Sequence, residues 1–95
     1  KVNLLVPALR ARNYFEQALL KGLGVRPPAD VHALLRRAGA RIGEAAARDG
    51  VALLTELDAL RDAASDPSPP EVRPERFLSI WRRIDAILRA LERTR

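Results

Sequence analysis

The chain has 95 residues, with 17 basic and 12 acidic side chains, a formal net charge of +5, no cysteine and no methionine. A chain of this length forms one domain with a modest core, burying about 60–65% of the surface that the unfolded chain exposes. Without cysteine it has no disulfide, thiolate nucleophile or Cys-ligated metal, and a reducing compartment such as the cytoplasm is mildly favoured.

Arg supplies 15 of the 17 basic residues. Residues 1–48 hold nine basic and three acidic side chains, whereas residues 49–95 hold eight and nine. An anionic partner would therefore meet the first half. The longest uncharged run, Val2 to Leu9, is too short to span a bilayer and contains Asn3 and Pro7. No signal-peptide pattern is present. A chain that opens on Lys1 and holds no Met reads as a fragment or a processed product.

Lys1 to Val6 reads as extended or frayed. The spacing of Leu4, Ala8, Ala11, Phe15 and Ala18 predicts a first helix from about Pro7 to Lys21. Gly22 or Gly24 supplies the left-handed stop. Pro27 or Pro28 opens a second helix with Asp30 in its first turn, and Val31, Leu34, Leu35 and Ala38 form its apolar face. From Gly39 the stripe Gly43, Ala46, Gly50, Leu53, Leu57, Leu60, Ala64 continues without a phase break. It predicts one long third helix, and the rival reading breaks that helix at Asp49-Gly50, with Asp49 as the cap. Ser65 to Arg73 is a Pro-rich linker that returns the chain to the last helix. Its Pro67-Ser68-Pro69-Pro70 run also fits a PxxP ligand, a pattern common by chance. The last helix starts at Pro74, and Phe77, Trp81, Ile84, Leu88 and Leu91 recur on it at steps of 4, 3, 4, 3.

Searches for chemistry return little. His32 is the sole histidine and has no second His or Cys beside it, so a zinc site is not supported. Ser65 and Ser68 lie in the linker, and Ser79 lies in a helix without a Gly-rich elbow. Asp58 and Asp62 are one turn apart with Glu56 near, and read as a solvated acidic face. Gly22-Leu23-Gly24 follows no strand and precedes no Lys-Ser/Thr, so it is no phosphate loop. No catalytic, cofactor-binding or metal-binding residue is assigned. Arg36, Arg37, Arg41 and Arg48 are the candidates for contact with an anion or a nucleic acid. Tyr14 and Phe15 are the only aromatics near that half, so base stacking has little to use.

The segment His32-Ala-Leu-Leu-Arg-Arg-Ala-Gly-Ala-Arg41 and the segment Arg83-Ile-Asp-Ala-Ile-Leu-Arg89 carry a family resemblance. They resemble the cytoplasmic C-terminal part of bacterial membrane proteins encoded beside MoxR-type AAA+ ATPases. The resemblance implies a non-catalytic accessory domain that helps to assemble or dock membrane machinery. It carries over no functional residue, and the region joining the two segments departs from the pattern.

These readings combine into an all-α fold: a small antiparallel bundle of four helices, or five if the third breaks, in a single domain over residues 1–95. The last helix packs in the groove between the first and third. Phe15, Leu35, Leu53, Leu57, Leu60, Trp81, Ile84 and Leu88 are expected in the core, and Trp81→Ala is expected to cost about 3–5 kcal/mol. The leading function is a non-enzymatic domain that binds a protein partner or itself. Its expected location is the cytoplasm, free or as the cytoplasmic part of a membrane protein. Nucleic-acid binding by the Arg-rich half ranks second. An enzyme or small-ligand site near His32 ranks third.

Overall fold

Glycine, proline and asparagine set the ends of the helices. The computed structural model describes residues 2–94 and holds five helices: α1 (Leu5–Leu23), α2 (Val31–Arg37), α3 (Gly39–Ile42), α4 (Glu44–Ala63) and α5 (Pro74–Glu92). At the end of α1, Gly24 adopts φ 69° and ψ 31°. Its N–H donates to the Lys21 carbonyl, and the Val25 N–H donates to the Leu20 carbonyl. This is the paired closure that a left-handed glycine permits. The α2 start differs from expectation, because Pro27 and Pro28 lie before the helix. Asp30 is the N-cap, its Oδ1 accepting from the Ala33 N–H at 3.2 Å.

The third predicted helix does break, but not at Asp49-Gly50. Ala38 keeps right-handed helical angles, so α2 passes almost directly into α3, and the Ile42 N–H still bonds back to the Ala38 carbonyl. Gly43 then takes φ 100° and ψ 139°, outside the range that a side chain tolerates. The chain turns there, and α4 runs unbroken through Asp49-Gly50. Gly50 lies inside α4 for a packing reason. A Cβ there would meet the Leu35 methyls at 3.1 and 3.2 Å and Ile87 Cδ1 at 3.7 Å.

The start of the described chain is tied down instead of frayed. Asn3 Oδ1 accepts from the Leu5 N–H at 3.0 Å and from the Val72 N–H at 2.9 Å. Leu4 N–H donates to the Val72 carbonyl, and Asn3 Nδ2 donates to the Pro70 carbonyl. Val72 is wholly buried, so the linker closes on the body of the protein through its last residues. The earlier part, Ser65 to Pro69, is exposed.

α4 is the central element. Leu53, Leu54 and Leu57 are fully enclosed, and α4 touches every other helix. It runs against α5, since Gly50 faces Ile87 while Glu56 reaches Arg83. It also runs against α2, since Asp58 faces His32 while Gly50 faces Leu35. α1 and α5 run in the same sense, joined at Leu4–Val72 and again at Tyr14–Trp81. As expected, α5 lies against both α1 and α4. Its buried line is Ile80, Ile84, Ile87 and Leu91, however, and Phe77, Trp81 and Leu88 are only partly buried at its edge. The expectation that Trp81 and Leu88 sit in the core is corrected accordingly.

Candidate functional site

Two ion-pair clusters fasten the helices. In the first, Asp58 of α4 accepts from Arg12 Nε of α1 at 2.6 Å and from His32 Nε2 of α2 at 3.1 Å. A carboxylate only accepts, so His32 carries a proton on Nε2. Arg61 stands 3.5 Å from the same carboxylate, and Arg12 also reaches Glu16 at 3.3 Å. Arg12 is only 8% exposed, and a charge so far withdrawn from water needs this pairing. Burial pushes the Asp58 carboxyl up. The hydrogen bonds from Arg12 and His32 and the charges of Arg12 and Arg61 outweigh it and hold the group below its ordinary 3.8. Asp58 therefore is no part of a merely solvated face. It joins α1, α2 and α4, and its partners lie 46 and 26 residues away in sequence.

In the second cluster Arg83 of α5 forks onto Asp49, with Nε at 3.0 Å and Nη2 at 2.7 Å, while Nη1 donates to Glu56 at 2.8 Å. The hydrogen bonds that Arg83 donates to Asp49 and Glu56 raise its pKa against the opposing effect of burial. Of the neighbouring pair Arg82-Arg83, only Arg82 is exposed. Sequence reasoning did not separate them, because nothing local marks which arginine meets a carboxylate.

The four candidate arginines divide into two pairs. Arg36 and Arg48 flank a groove of about 400 Å³ between α2 and α4, floored by Ala47, Val51 and Ala52. Arg37 and Arg41 flank a smaller groove beside Leu23, Val25 and Leu34. All four are exposed, and none is in an ion pair among the described residues. Glu44 precedes Arg48 by one turn in the order that favours pairing. Its carboxyl instead lies over Gly39, where a Cβ would come within 2.6–2.9 Å of it.

A third surface follows the seam between α1 and α5. Tyr14 packs on Trp81 with centroids 5.5 Å apart, and Phe77 meets Trp81 edge-on at 6.4 Å. Leu78 stands one turn before Trp81. Tyr14 is 53% exposed and Leu78 50%. Beyond Tyr14 the seam opens into a groove of about 450 Å³ that includes Ala18, Gly22 and Leu88. The sequence contained a signal for this surface: Phe77, Trp81 and Leu88 form a line one step to the side of Ile80, Ile84 and Ile87.

No helix among the described residues is long and apolar enough to cross a membrane. No family model, curated protein or solved structure matches the chain.

Proposed function

We propose that the chain is a non-enzymatic helical interaction domain, an accessory module of a larger bacterial protein acting in the cytoplasm. Its α1–α5 seam would dock a protein, either a second copy or a different chain. The observation that carries this reading is the half-exposed Tyr14 and Leu78 grouped around Trp81. A Tyr–Trp pair of this kind offers large, rigid, amphipathic area, the composition favoured at the centre of protein interfaces. The test is a photo-crosslinking residue placed at Leu78, with Ala59 on the exposed side of α4 as the control. A discrete adduct from position 78, of dimer mass or larger, supports the reading, and Tyr14→Ser should weaken it. Equal labelling from both positions would overturn it.

The second reading is nucleic-acid binding by Arg36, Arg37, Arg41 and Arg48. Their exposure and their lack of ion pairs among the described residues favour it. It ranks lower because the four split between two grooves and the surface aromatics lie on other helices. Binding to duplex DNA and to single-stranded RNA, measured at low and moderate salt, tests it: affinity must fall steeply with salt.

A further inference from the structure

We infer that the groove between α2 and α4 is a second docking surface, separate from the α1–α5 seam, and that its occupant is a short acidic, amphipathic segment of a protein partner. The floor is aliphatic, made by Ala47, Val51 and Ala52 of α4. Its rim carries Arg36 from α2 and Arg48 from α4, both exposed and neither in an ion pair among the described residues, together with one carboxylate, Glu44. The carboxylate placed to neutralise Arg48 is Glu44, and it is turned onto Gly39.

Two guanidiniums beside an apolar trough select a ligand with complementary chemistry at the same spacing. Carboxylates satisfy the forked donors of Arg36 and Arg48, and one or two aliphatic side chains between them cover Ala47, Val51 and Ala52. A segment with acidic and aliphatic residues one helical turn apart supplies both from one face. Charge complementarity thus specifies the occupant's composition. A nucleic acid satisfies only the arginines, because the groove presents no aromatic ring for a base to stack on. Arg37 and Arg41, on the other flank of α2, add to the field that draws an acidic segment towards this end of the molecule.

The test uses the full chain and a fluorescein-labelled peptide of Glu, Leu and Ala, with its Leu residues one helical turn apart, titrated by fluorescence anisotropy. Saturable binding is expected. Arg36→Gln combined with Arg48→Gln should weaken it roughly tenfold or more, as loss of paired charges at an interface does. Arg10→Gln combined with Arg26→Gln removes the same charge from exposed positions elsewhere and should leave binding unchanged. Val51→Glu should weaken binding as strongly as the rim substitutions, with folding checked by thermal melting. A peptide with every Leu replaced by Gln tests the floor without altering the protein, and should bind far more weakly. The inference falls if the two double variants lose affinity equally. It also falls if the Leu-free peptide binds as well as the parent, or if duplex DNA of matched charge displaces the peptide while Val51→Glu has no effect. None of these results bears on the α1–α5 seam.

Discussion

Removing the Asp58 carboxylate should be the costliest single change at a polar side chain in this protein. Asp58→Ala leaves Arg12 with Glu16 at 3.3 Å as its remaining carboxylate, while the Arg12 side chain stays only 10% exposed. His32 loses its acceptor at the same time. Breaking a fully buried pair from one side costs about 3–5 kcal/mol. The Asp58 side chain is 23% exposed and Glu16 remains, so the expected loss is about 2–3 kcal/mol, or roughly 10–20 °C in melting temperature. Urea unfolding at neutral pH, followed by helical circular dichroism, reads this directly. The cycle of Arg12→Met, Asp58→Ala and the double variant should show a coupling of about 1 kcal/mol or more, because the double variant removes both of the paired charges and leaves only the more exposed Glu16 without its partner. The pH dependence has a definite sign. The folded pKa of Asp58 lies below its ordinary 3.8, so the unfolded chain binds the proton first on acidification. The contribution is fully present above the unfolded value and is lost as pH falls through the folded one. Wild type should therefore lose stability faster than Asp58→Ala across that acid range. A loss under about 0.5 kcal/mol for Asp58→Ala, or strict additivity in the cycle, would refute the argument.

Three further outcomes follow from packing and hydrogen bonding. Trp81→Ala should cost about 1–2.5 kcal/mol, below the range for a buried tryptophan, because the ring is only partly covered; a larger loss in chemical denaturation would place it in the core after all. Gly50→Val should destabilise by about 2 kcal/mol or more through overpacking against Leu35 and Ile87. Gly50→Ala should stay within about 1 kcal/mol of wild type, since its better helix propensity offsets the squeeze, and melting temperatures of the two variants separate these cases. Asn3→Ala should cost about 1–2 kcal/mol, and it should accelerate hydrogen exchange at the Val72 amide, which loses its acceptor; unchanged exchange there would contradict the assigned bond.

The parts of the fold legible in the sequence are those fixed by local chemistry. Pro74 marks the start of α5, Gly24 the end of α1, and the Pro-rich linker separates the last two helices. Leu53, Leu57 and Leu60 of α4 were legible as core because their spacing alone assigns them to one face, whereas the equally enclosed Leu54 lies off that stripe. The break at Gly43 was hidden by periodicity. The α2–α3 hook and α4 both present small or apolar residues in a phase that happens to run on across the turn, so an unbroken stripe did not mean an unbroken helix. On α5, the size of Phe77 and Trp81 pointed the reading one step round the helix, whereas the smaller Ile80 and Ile87 are the ones enclosed. The exposed arginines were legible as exposed, but their division into two grooves depends on where α2 lies against α4. Asp58 left no trace in the sequence, since Arg12 and His32 reach it only after three helices have come together.

The bond between Asn3 and Val72 also imposes a timetable. Its two residues lie 69 positions apart, so the first helix is made long before the segment that secures its start. At about 5–20 residues per second, a ribosome takes roughly 3–14 seconds to cover that interval. For most of it, the face formed by Ala8, Phe15, Leu19 and Leu20 lacks a complete α4, and throughout it lacks α5. The nascent chain must carry an apolar surface through most of its own synthesis, and the final helix is the piece that retires it.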